Sequence, residues 1–191
     1  MTLPVDFKPT KKTQEALKQT IAMAIKKSHQ HISPAHILYC IVNQKDGLAS
    51  PTLRAAGADP QVILKEADRI INEIPGTVNK VSKPDFDPDS LKALTAANDL
   101  SYDLGDQSVS TEVLLAGIAQ GDTEISQIMR ANKATTDNIK KAFEDVRGGG
   151  SVDSSRPEQR FKALEKYSID LTERARSGKI DPVIGRDAEI R

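Results

Sequence analysis

What most constrains this chain is that its helix punctuation occurs twice in nearly the same order. Ile32-Ser33-Pro34-Ala35-His36-Ile37-Leu38 is matched by Val109-Ser110-Thr111-Glu112-Val113-Leu114-Leu115. Each reads as an apolar residue, a serine N-cap and a helix. Ser33 and Ser110 are placed to accept orphan amide protons, Pro34 suits a first helical turn, and Ile32 with Ile37, like Val109 with Leu114, forms a hydrophobic staple. Upstream of the first cap, a helix is expected over about Thr10 to His29, with Leu17, Ile21, Ala24 and Ile25 on one face. Its counterpart after Asp87-Pro88 carries Leu91, Leu94, Asn98 and Tyr102 down to Gly105. Downstream, a short helix around Pro51 to Ala56, stopped by Gly57, matches one around Glu124 to Ala131 that ends at Asn132 or Lys133. Asp59-Pro60 and Thr135 then start the last helix of each copy, with Ile63, Ala67 and Ile70 in one and Ile139, Phe143 and Val146 in the other.

Four short helices cannot enclose a core alone, so the two copies should pack face to face with pseudo-twofold symmetry. The expectation is an all-α domain, a tandem repeat of two four-helix units with about eight helices, joined through Pro75 to Pro84. Val and Ile recur at helical spacing and strand signals are nearly absent.

The domain is expected to occupy 1–147. Gly148-Gly149-Gly150 and the serines after it have little to bury, so 148–157 reads as a flexible linker with an end-to-end span of roughly 17 to 19 Å. Residues 158–191 form a separate tail. Of the 191 residues, 27 are basic and 27 acidic, and no cationic face appears, which argues against a nucleic-acid partner. Neither an 18-residue apolar run nor a signal-peptide pattern occurs, so no membrane partner is expected. A single cysteine, Cys40, excludes a disulfide scaffold and suits a reducing, cytoplasmic setting.

No complete catalytic site is apparent. His29, His31 and His36 invite a metal reading, but no carboxylate or thiolate with zinc spacing completes them, and solvated or capping imidazoles are the alternative. Asp85, Asp87 and Asp89 imitate the opening of a calcium loop, yet Ser90 stands where a glycine is needed and Ala96 where a bidentate glutamate is needed; helix capping by Asp87 accounts for the cluster instead. Cys40 has no activating partner, and neither G-x-S-x-G nor G-x-x-x-x-G-K-[ST] occurs. No metal, cofactor or enzymatic activity is therefore expected of this chain.

From Leu164 the sequence reads LEKYSIDLTERARSGKIDPVIGRDAEIR. Its spacing from Pro157 to Gly178 is helical, with Phe161, Leu164, Tyr167 and Leu171 as a stripe, although with no partner surface for that stripe the residues alone favour a frayed or disordered tail. This stretch resembles the entry to the first ATPase module of the Clp family of AAA+ unfoldases. RGGGSV at Arg147 to Val152 is similar to the junction in its ClpB disaggregase branch, and the double repeat resembles the family's N-terminal domain. The resemblance implies the front of a longer stress-response chaperone, a homo-hexameric ATPase using ATP and magnesium and carrying a coiled coil, of which this chain would be a monomeric piece. Asp181, Val183, Ile184, Gly185 and Arg186 would be half of an adenine pocket.

The resemblance further implies that 1–147 binds apolar stretches of unfolded or aggregated polypeptides for threading by the ATPase ring, with co-chaperones as further partners. The alternative is an adaptor-docking domain of a protease-coupled Clp unfoldase. Carried over by position, the groove floor would be Ala96, Leu100 and Val113, with Thr10, Asp106 and Glu112 nearby; the two acids would favour clients bearing Lys or Arg. Ala96 stands where the family commonly has leucine, and Thr13 where it has phenylalanine. Spacing alone puts Ala96 and Leu100 on one helix face, and it is equally compatible with Leu100 and Val113 as core residues.

Overall fold

The computed structural model describes residues 4, 6–79, 81–147 and 152. The chain divides into two units, Met1–Glu158 and Gln159–Arg191, and all described residues belong to the first. The expected tail helix and the adenine-pocket residues Asp181, Val183, Ile184, Gly185 and Arg186 lie outside the described residues, as does the linker apart from Val152.

Among the described residues eight helices form, four per repeat: α1 (Lys11–Lys26), α2 (Pro34–Val42), α3 (Ala49–Ala55) and α4 (Pro60–Glu73), then α5 (Pro88–Asp103), α6 (Thr111–Ala119), α7 (Glu124–Ala131) and α8 (Thr136–Arg147). Their starts are chemically fixed. Thr10 Oγ1 accepts from Thr13 N at 3.3 Å, Asp87 Oδ1 from Ser90 N at 2.6 Å, Asp59 Oδ1 from Gln61 N at 2.9 Å, and Thr123 Oγ1 from Ser126 N at 3.4 Å. Asp87 is thus a cap, as its sequence position suggests. The stops repeat as well. Ser28 and Gly105 end the first helix of each copy with φ of 56° and 69°, and Gly57 and Lys133 end the third with 82° and 67°.

The copies interlock as well as pack face to face. α3 packs on α8 and α7 on α4, so the third helix of each repeat lies against the fourth helix of the other, while α2 meets α6 between them. One feature departs from the sequence expectation. Two-residue strands β1 (His31–Ile32) and β2 (Asp85–Phe86) pair in parallel, and Pro9 bridges Val109 in the same sense. In each case the residues before the first helix of one copy pair with those before the second helix of the other. Such short pairs leave no periodicity to read. Ser90 Oγ reinforces the first by donating to Ile32 O at 2.7 Å.

The staples Ile32, Ile37, Val109 and Leu114 all lie within the core, which runs continuously through both repeats. Gly117 of α6 marks its closest approach. A Cβ there would sit 2.4 Å from Ala93 O and 2.9 Å from Ala97 N, so only glycine lets α5 lie this close on α6.

Candidate functional site

α5 shows solvent one stripe, Pro88, Leu91, Lys92, Thr95, Ala96, Asp99, Leu100 and Asp103, at helical spacing. Together with Gln120, which caps α6, and Lys140 of α8, it lines a groove of about 600 Å³. A second hollow of about 250 Å³ shares Lys92, Ala96 and Gln120 and continues over Ala93 and Gly117 to the α7 N-terminus. The floor is Leu91, Ala96 and the edge of Leu100, which is 8% exposed. The rim is charged. Lys92 pairs with Asp89 at 2.9 Å, whereas Asp99 and Asp103, one turn apart on α5, form no ion pair among the described residues and stand exposed. Gly117 keeps this hollow open from beneath by seating α5 low on α6.

The expected site residues divide sharply. Ala96 and Leu100 share the groove. Val113 is fully buried in the first turn of α6, and Thr10 is fully buried as the α1 cap. Thr13, where a family phenylalanine was expected to matter, is also buried, its Oγ1 lying 3.1 Å from Thr10 Oγ1. Asp106 and Glu112 face inward, each with a side chain 0% exposed, and they hold Arg147 through contacts of 3.0 Å from Nη1 to Asp106 and 2.8 Å from Nη2 to Glu112. The expectation that these acids present negative charge to a client is therefore corrected: both carboxylates are enclosed and bound to one guanidinium inside the fold. Ser110 is corrected too. It occupies the N-cap position of α6, but its Oγ accepts from Arg147 Nη2 at 3.2 Å instead of capping an amide.

Sequence reasoning found Ala96 and Leu100 but missed the floor residue Leu91 and, among the polar lining, Lys92, Asp99, Asp103, Gln120 and Lys140. The signal for Asp99 and Asp103 lay in their i, i+4 spacing beside the Ala96 and Leu100 face.

Among the described residues, no group of three or more His, Cys, Asp or Glu side chains could hold an ion. His29 and His36 are instead buried together, with Nδ1 of His29 2.9 Å from Nε2 of His36, while His31 is exposed on β1. His36 Nδ1 accepts from Ser33 N at 3.1 Å in a capping box, which leaves Nε2 carrying the proton that His29 accepts. Burial, then repulsion from His29 and Lys27, lowers the His36 pKa to about 4; burial and then Lys27 lower that of His29, against a hydrogen bond with the Ile74 backbone. Cys40 is free and buried, and burial raises its thiol pKa, which disfavours the thiolate. No described helix is long and apolar enough to cross a membrane.

A family model for the Clp repeat (R) N-terminal domain matches residues 8–132. The chaperone protein ClpB of Corynebacterium efficiens is 50% identical over 186 residues, covering 97% of this chain; the chain spans only 22% of that relative's length. Among solved structures, the Hsp104 N-terminal domain from Candida albicans is similar with a TM-score of 0.68 at 17% identity, over 79% of this chain and 99% of that one. A ClpV N-domain in complex with a VipB peptide gives a TM-score of 0.60 at 19% identity, over 75% of this chain and 90% of that one.

Proposed function

This chain belongs to the Clp repeat N-terminal domain family, and from that membership we propose that residues 1–147 capture exposed apolar segments of unfolded or aggregated proteins along α5. The observation that carries this reading is the open groove floored by Leu91, Ala96 and Leu100. Its size falls in the range of ligand clefts, but alanine at position 96 keeps the floor shallow. The exposed apolar floor is small, so at about 25 cal/mol/Å² its burial contributes on the order of a few kcal/mol gross, against roughly 4 to 15 for association and ordering. Capture is therefore weak and tolerant of sequence, and suits a module that releases its clients. Several copies on one oligomer would restore strength through avidity.

Charge selectivity resides in Asp99 and Asp103, the exposed acids of the rim, in place of the enclosed Asp106 and Glu112. In the longer protein we propose a cytoplasmic, homo-hexameric ATPase that uses ATP and magnesium to thread what this domain hands over, with Asp181, Val183, Ile184, Gly185 and Arg186 contributing to its adenine pocket.

The test replaces Ala96, which is half-buried at the groove, with arginine. Fluorescence anisotropy with a denatured client should show at least tenfold weaker binding for Ala96→Arg while circular dichroism reports unchanged helix. Equal binding with intact helices would remove the groove from consideration. A second reading, docking of a folded adaptor or its peptide, is favoured by the ClpV N-domain solved with a VipB peptide. Titrating one protein in native and denatured forms separates the two, since adaptor docking predicts no preference for the denatured form.

A further inference from the structure

The chain leaving α8 is tied back to the domain. Arg147, the last residue of α8, has a side chain 5% exposed and lies with its guanidinium 4.7 Å from the Phe143 ring centroid. Its Nε donates to Glu112 Oε1 at 3.0 Å and its Nη1 to Asp106 Oδ2 at 3.0 Å. Two enclosed carboxylates meet one guanidinium, so the knot holds more negative than positive charge, and Glu112 Oε2 has no partner. A buried carboxylate needs further donors. Asp106 Oδ1 gets only a 3.3 Å contact from Arg147, and its short bond, 2.7 Å, comes from the backbone N–H of Val152. Val152 completes the clasp by accepting from Gln107 N at 2.9 Å and by burying its side chain fully.

The first repeat makes the same return. Thr77, beyond α4, donates its N–H to Ser28 O at 2.8 Å, at the left-handed turn that ends α1; Ser28 is the counterpart of Gly105, and His29 that of Asp106. Hooking the outgoing chain onto the loop after the first helix is thus built into both copies.

We infer that Asp106 and Gln107 form a docking point for the start of this chain's own linker, giving the tether a latched and a released length. Asp106 and Arg147 are then positioning residues that set how far the domain reaches, and they act without touching a client.

The test is amide hydrogen exchange, read by NMR on the 191-residue chain. Val152 and Gln107 should be protected on the order of a hundredfold over free amides, as expected for a hydrogen bond to a charged group plus an apolar anchor. Val152→Asp leaves the Arg147 knot whole and should abolish protection at Gln107 while the α6 and α8 amides keep theirs. Asp106→Ala, which removes the acceptor, should free Val152 in the same way, and Val152→Asp decides the matter should that variant not fold. Unprotected Val152 and Gln107 in the parent chain, or unchanged Gln107 protection in Val152→Asp, would overturn the latch.

Discussion

Acidifying this domain should unfasten it at the His29–His36 pair, and the amount can be worked from the geometry. His36 is fully enclosed and has a pKa near 4 in the folded chain against 6.5 when unfolded. Between those values the unfolded chain binds more protons. Stability from His36 is therefore fully present above pH 6.5 and is lost as pH falls through the window toward 4. Over the interval from pH 8 to pH 5 the loss is about 2 kcal/mol, rising to about 3 below pH 4. His29, lowered by burial and by Lys27, adds to it with the same sign. Asp87, whose carboxyl is pushed upward chiefly by burial, contributes the opposite sign. The informative control is His36→Gln. Glutamine at the third helical position still closes a capping box on Ser33 but carries no proton to titrate. Urea unfolding followed by circular dichroism at pH 8, 6 and 5 should show the parent losing about 2 kcal/mol more than His36→Gln. Asp87 is common to both proteins and cancels in the difference. Equal pH slopes for the two would refute the assignment of the buried, neutral imidazole.

Three further outcomes follow from packing and charge. Gly117→Ala must push α5 away from a contact of 2.4 Å, at a cost of about 1 to 3 kcal/mol in urea unfolding, and should change client affinity because the same contact seats the groove. Arg147→Met strands Asp106 and Glu112 without a counter-charge and should cost about 3 to 5 kcal/mol; a loss under 1 would mean the knot is open to water. Replacing Asp99 and Asp103 by asparagine should weaken peptides with Lys or Arg beside their apolar segment roughly two- to tenfold, with the effect fading at high salt, while neutral peptides are unaffected. Equal weakening of both peptide classes would remove charge from the recognition.

The repeat was legible because its marks are local: a serine or aspartate cap, a staple five residues apart, a glycine stop. Thr10, Asp87 and Asp59 occupy the places their sequence neighbours dictate. The pairing of β1 with β2 was not legible, since it joins residues 54 apart in register, His31 with Asp85, through backbone groups any residue supplies. The groove was half legible. Ala96 and Leu100 share a face by spacing alone, but whether an acid points outward depends on a counter-charge elsewhere. Asp106 and Glu112 lie inside because Arg147, 41 and 35 residues away, meets them there. Of the histidine readings, capping holds for His36; the burial of its other nitrogen against His29 is the part that spacing does not show.

The crosswise exchange of helices and backbone pairs has a consequence for how such a molecule can come apart. A solitary copy would present an uncovered third helix and half a ladder, both shaped to fit an identical sister. Cleaved within the connection from 75 to 84, the halves should stay associated and melt in one step, and either half made alone should form a symmetric homodimer. The covalent join then serves mainly to let the sisters diverge, so that one keeps a histidine pair where the other holds the ionic knot and the anchor of the outgoing chain.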